Sequence, residues 1–223
     1  MTFSKPLACD KRVARKAATH RAILEAAEQI AIDEGRAALT TKRLVEVAGV
    51  SERTVFNHFA NLNAVLIAAL ASHLQELMNS SEFPTGLPLA ELPQACETYI
   101  CEGLDKEDSH AALNRFITLA ATGFIEVAGE QDAIGKEVLQ TLGQQGSSLY
   151  EKIAACYPQL DQSQHFQLYL YVCNCVMAIG FGMGQYVTEN PQTLENPALA
   201  SGDDLRACMI TAIRQVGQGM PRF

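Results

Sequence analysis

The run "SERTVFNH", residues 51 to 58, sets two hydroxyls, a carboxylate, a guanidinium, an aromatic ring, a carboxamide and an imidazole side by side in one short stretch. Those are the side-chain types that read the edges of DNA bases. Arg pairs with O6 and N7 of guanine and Asn with N6 and N7 of adenine; Glu accepts from the cytosine amino group, and Thr or Phe packs on the thymine methyl. His58, together with capping hydroxyls such as that of Ser51, suits phosphate oxygens, which fix register without reading sequence.

Such a set is useful only if one helix holds it outward. A helical run ending at Ala48, a turn at Gly49-Val50 and a new helix opened by Ser51 have the spacing of a helix-turn-helix, and glycine enters the positive-φ region that the turn needs without steric cost. Val50 then plugs the angle between the two helices, and Leu44, Val45, Val55 and Phe59 point into a small core. Glu52, Arg53, Thr54, Phe56, Asn57 and His58 are left around the outer face. Upstream, Ile23, Ala26, Ala27, Ile30 and Ala31 recur at helical spacing within a helix over 11–34, which Gly35 ends. Thr40 or Thr41 caps the second helix, Ser51 the third through about Phe59, and Asn61 or Asn63 a fourth. The plain alternative is a helical hairpin with a solvated polar face.

Charge separates these alternatives. The chain has a net charge of −8, which by itself argues against a polyanionic partner, yet residues 1–62 hold ten Lys or Arg against seven Asp or Glu. The remaining 161 residues hold seven basic and eighteen acidic side chains. A basic head on an acidic body fits a polyanion-binding module joined to a part that avoids polyanions.

The body reads as helical throughout. About five helices are expected, near 90–104, 109–127, 131–156, 162–187 and 202–218, with "TENPQTLENPALASGDD" a long loop before the last. The proline-rich "SSEFPTGLPLAELP" is a connection, and the domains are expected to be 1–66 and 67–223. "LYLYVCNCVMAIGFGMGQYV", 168–187, is apolar nearly all round and must be buried on most sides; Gly180 and Gly184, one turn apart, would let another helix approach closely. The same stretch could span a membrane by length, but Asn174 and Gln185 interrupt it and no Lys or Arg lies between Lys152 and Arg206, so no membrane partner is expected. "GFGMG" follows no strand and is not a nucleotide loop.

Enzymatic chemistry finds little support. Glu107 and His110 form a single Glu-x-x-His where a di-iron bundle needs two plus further Glu residues, and Cys156 and His165 match no nucleophile signature. Seven cysteines with no C-x-x-C pair and no zinc spacing read as free, mostly buried thiols. No metal, cofactor or catalytic residue is expected. The polar, basic N-terminus lacks the apolar core of a secretory signal, which makes the cytoplasm the expected compartment.

Residues 14 to 66 resemble the N-terminal DNA-binding domain of the tetracycline-repressor (TetR) family of bacterial regulators, through "RAILEAAEQIAIDEG", the Thr pair and "AGVSERTVFNHFANLNAVL". The resemblance implies an all-α chain of about nine helices: a three-helix helix-turn-helix domain and a C-terminal helical dimerisation and ligand-binding domain. It makes Thr41 a phosphate-contacting cap, Lys42 a base or phosphate contact, Glu52, Arg53, Thr54 and Asn57 base readers, and Phe56 and His58 backbone contacts. Two positions depart from the family pattern: Phe56 is often Tyr, and Leu62 stands where Lys is usual. The function so implied is a homodimeric repressor that binds a palindromic double-stranded operator and is released by a small apolar effector. Phe116, Phe124, Tyr150, Phe166, Tyr169, Cys173 and Met177 are candidates to line the effector site, since most such sites are apolar. The alternatives are a helical interaction or small-molecule-binding protein with weakened DNA binding, and a helical enzyme.

Overall fold

The computed structural model describes residues 7–78, 82–105, 131–195 and 201–219, and side chains within 12–35, 37–78, 82–105, 139–193 and 201–219. Every regular element among them is helical. The chain forms two compact units, dividing after Ala69.

In the first unit α1 spans Leu7–Asp33, α2 Thr41–Ala48 and α3 Glu52–His58, and α4, Leu62–Met78, begins there and continues past the division. The expected stripe on α1 is the core of this unit: Ile23, Ala27, Ile30 and Ala31 are fully buried, joined by Leu44 and Val55. Val45 and Val50 are half-buried. Of the alternatives for the caps, Thr40 accepts from the Arg43 amide at 3.2 Å, and Asn61 Oδ1 accepts from the Ala64 amide at 2.7 Å. Thr41 is therefore the first residue of α2 and not its cap.

The second unit holds α5 (Leu92–Asp105), α6 (Gln131–Ala155), α7 (Gln162–Glu189), the single turn α8 (Gln192–Glu195) and α9 (Gly202–Gln218). The helix expected over 109–127 lies outside the described residues. The loop expected after 187 is interrupted by α8, because Pro191 opens a helical turn as readily as it ends one; Thr193 donates to the Asn190 carbonyl at 2.7 Å and steadies it.

Helix α7 opens with a reciprocal cap, in which Asp161 accepts from the Gln164 amide while the Gln164 side chain accepts from the Asp161 amide, both at 2.9 Å. It packs against α6 and α9 and buries Leu168, Tyr171, Val172, Cys175, Val176 and Ile179. Length and composition would allow it to cross a membrane. In this fold the buried side belongs to its helical neighbours. A further close approach, at a glycine that spacing did not single out, is that of α9: a Cβ on Gly182 would sit 2.7 Å from the Met209 Cα and 2.8 Å from the Cys208 carbonyl oxygen, so α7 and α9 meet at Gly182. Gly180 faces the Leu142 side chain of α6, and around Gly184 there is open space.

Tyrosine hydroxyls tie the connections to this frame. Tyr99 donates to the Met78 carbonyl at the end of α4 (2.5 Å), Tyr157 donates to the Pro84 carbonyl (2.8 Å), and Tyr186 accepts from the Ser201 amide (2.8 Å). Gly182→Ala is expected to destabilise the second unit by about 1–3 kcal/mol, because backbone atoms rather than a movable side chain receive the added methyl. Gly184→Ala is expected to leave the chain's own packing intact, and thermal melts of the two variants check the contrast.

Candidate nucleic-acid interface

The turn between α2 and α3 is built from the backbone outward. Gly49 takes φ 63° and ψ 30°, the left-handed cap that ends α2, and its amide bonds to the Val45 carbonyl. Two residues later Ser51 is extended, and its Oγ accepts from the Thr54 amide at 3.2 Å. The chain thus leaves one helix and enters the next through only three residues, Gly49, Val50 and Ser51, which fixes the direction of α3. Glu52 in the first turn and His58 in the last match the helix dipole in sign.

With Val55 fully buried and Phe59 nearly so, the opposite side of α3 faces outward. Glu52, Arg53 and Asn57 are exposed, as are Lys42 on α2 and Ser51 at the turn. Phe56 is exposed over 42% of its surface, unusual for a large apolar ring and suited to a thymine methyl or a sugar. Thr41, Thr54 and His58 are half-buried. Thr54 shares its hydroxyl with Ser51 at 2.8 Å, so a base would compete with that internal bond. Of the residues expected to read bases, Glu52, Arg53 and Asn57 are therefore the exposed ones, flanked by Phe56. Leu62, which departs from the Lys usual in the family that residues 14 to 66 resemble, is the half-buried first residue of α4.

Two contributors were not expected. Arg43 binds Glu34 in a fork, with Nε 3.1 Å from both carboxylate oxygens and a terminal nitrogen 2.7 Å from one of them, and it reaches Glu46 at 3.3 Å. This holds the start of α2 to the end of α1, and the guanidinium keeps the Glu34 carboxyl below its ordinary range. His20 on α1 stacks on Phe59. Neither pairing leaves a mark in local spacing, because each joins separate helices.

The candidate effector residues divide. Phe116 and Phe124 lie outside the described residues. Tyr150 meets Tyr169 edge-on at 5.3 Å and its hydroxyl bonds His165 Nδ1 at 3.0 Å. Cys173 lies against Gly146, and Met177 is half-buried. Phe166 faces solvent over 62% of its surface, whereas Tyr169, partly exposed, lies on the α6 seam with its hydroxyl 3.4 Å from that of Ser147. A cleft of about 340 Å³ lies elsewhere, between Pro84, Leu87, Ala95 and Tyr99, rimmed by Glu82 and Glu102. Burial pushes the Cys101 thiol to about 11 and Cys175 to about 12, with Cys96 and Cys173 also raised, so these thiols stay protonated and unreactive at neutral pH. The cysteines with described side chains are all free. Among the described residues, no three His, Cys, Asp or Glu side chains are grouped to hold a metal ion.

Residues 23–69 match the family model described as bacterial regulatory proteins, tetR family. The chain is 42% identical over 55 residues to an uncharacterised HTH-type transcriptional regulator, YvkB, of Bacillus subtilis; the match covers 25% of this chain and 29% of that protein, less than a third of the relative's length. Among solved structures it is similar to a protein from Rhodococcus sp. described as a TetR-family transcriptional regulator, at 16% identity and a TM-score of 0.48, covering 89% of this chain and 98% of that one. It is also similar to NalD of Pseudomonas aeruginosa, described as the secondary repressor of the MexAB-OprM multidrug efflux pump, at 20% identity and a TM-score of 0.36, covering 88% and 94%.

Gly49 offers a direct check of how the turn is held. No atom outside the turn lies within 4 Å of where its Cβ would be, so Gly49→Ala introduces no clash. It is nonetheless expected to destabilise the head by about 1–2 kcal/mol, the cost of holding an L-residue in the left-handed region. A chemical denaturation series against wild type measures it.

Proposed function

We propose, from the match of residues 23–69 to the model of the tetR family of bacterial regulatory proteins, that the protein is a homodimeric transcriptional regulator acting as a repressor, binding a palindromic operator through α3 and released by a small apolar molecule. The observation that carries the reading is the outward set Glu52, Arg53, Phe56 and Asn57 on a short helix whose entry is fixed by Gly49 and Ser51, on the basic part of an acidic chain.

Arg53 and Asn57 are the base readers in this scheme, with Glu52 beside them; Lys42, Ser51, Thr41 and His58 serve phosphates, and Thr54 and Phe56 meet methyl or sugar surface. A second copy would bring a second α3 to the next half-site, about one helical turn of DNA away. The open face of α7 suits that pairing. Phe166, Leu170 and Phe181 are exposed along it, and Gly184 leaves room for a neighbouring backbone. Phe166 fits this dimer face better than an effector pocket, leaving Tyr150, Tyr169, Cys173 and Met177 as candidates near the α6–α7 seam. An effector that favours one spacing of the two heads over another would shift the population away from the operator-bound form.

Two outcomes are expected. On a duplex from the region upstream of its own gene, Arg53→Ala and Asn57→Ala should each cost about 1–3 kcal/mol, and much less on random duplex, with wild-type affinity falling steeply as salt rises. Equal losses on both duplexes would assign these side chains to the DNA backbone. Phe181→Glu should convert the dimer to monomer in sedimentation at micromolar protein while the far-ultraviolet circular dichroism stays helical. A wild-type monomer at that concentration rules out the proposed dimer.

A further inference from the structure

Two histidines meet under the recognition helix. His20 comes from the middle of α1 and His58 is the last residue of α3; their ring centroids are 5.8 Å apart, and the His20 ring lies 4.8 Å from that of Phe59 at a tilt of 36°. Phe59 is the buried cap of α3, and its amide closes the helix on the Val55 carbonyl. The end of α3 therefore rests on an imidazole from another helix.

That imidazole is poorly placed to carry charge. Its burial, a charge on His58 and the Lys16 ammonium one turn earlier on α1 all act in one direction and hold His20 below the ordinary histidine range. The first turns of α4, Leu62–Ala69, contain no ionisable side chain that could offset them. The unfolded head, with His20 near its ordinary 6.5, binds the extra proton more readily than the folded one. This contribution to stability is thus intact above pH 6.5 and is lost as pH falls through the lower folded-state value. Protonation of both rings would place two like charges side by side with Lys16 beside them.

We propose that His20 is a pH-sensitive positioning residue for α3: neutral, its ring seats Phe59 and the end of the recognition helix, and protonated, it drives His58 and that end away and weakens DNA binding. The inference rests on the DNA-binding reading above. Its sign is distinctive. Acidification adds positive charge to the head and on electrostatic grounds alone should strengthen binding to a polyanion, whereas this seat requires binding to weaken.

The test titrates full-length protein into a fluorescein-labelled duplex from the region upstream of its own gene, at constant ionic strength, from pH 7.5 to pH 5.5. Linkage to one proton limits the change to about tenfold per pH unit, and a loss of about threefold or more across the range is expected for wild type. His20→Phe keeps a ring against Phe59 and should lose this acid-side decline, binding equally or more tightly at low pH. Wild-type affinity that is flat or rises on acidification, or a decline that persists in His20→Phe, overturns the inference and leaves the DNA reading standing. Absence of binding at every pH refutes that reading and the inference with it. In the free protein, imidazole NMR should show His20 titrating below the ordinary range and moving up in His58→Gln. An unmoved His20 would dissolve the pair whether or not DNA binds.

Discussion

One backbone constraint governs the head: the chain must leave α2 and enter α3 through the three residues Gly49, Val50 and Ser51. A left-handed residue is the compact way to end the first helix, and a side-chain cap is the compact way to begin the second. Gly49 supplies the one and Ser51 the other. Everything that α3 presents depends on this junction, because a helix seven residues long has too few internal hydrogen bonds to hold its own direction. Its remaining support is tertiary: Val55 and Phe59 in the core, the Arg43–Glu34 fork that holds the adjoining α2, and the His20 ring beneath Phe59.

The second unit meets a different demand. An apolar helix of 28 residues must find partners for most of its circumference, and α6 and α9 provide them on one side. Where α7 meets α9 at Met209 and Cys208, Gly182 leaves out the Cβ that the α9 backbone would collide with. The connecting segments are then fastened by tyrosines whose rings are buried and whose hydroxyls reach backbone groups, which satisfies the phenol and the loop amide or carbonyl together. Exposed Phe166 and Phe181 on the other side of α7 are the unfinished part of this burial. In the dimer proposed above, a second copy of the chain would complete it.

Charge follows the same division of labour. Basic residues gather in the first 62 positions and acidic ones in the remainder, so a polyanion is attracted by one part of the sequence and repelled by the other. Within the head, Arg43 is not free to join this attraction, since Glu34 and Glu46 already engage it. Arg53 and Lys42 are exposed and available to it.

The all-helical class, the stripe on α1, the turn at Gly49 and the cap at Ser51 were legible in the sequence because each depends on spacing within a few residues: helical periodicity, a residue that tolerates positive φ, and a hydroxyl placed to meet an amide two or three positions on. The outward set on α3 followed from the same periodicity once Val55 and Phe59 were assigned to the core. Other features required the tertiary structure. Thr40 and not Thr41 caps α2, Gly182 and not Gly184 meets another helix, Phe166 faces outward, and His20 sits beneath the recognition helix. Each turns on which side of one helix meets which neighbour. A helix shows its own faces through its period of 3.6 residues, but a contact between helices is set by how separate segments pack, and no spacing along the chain records it.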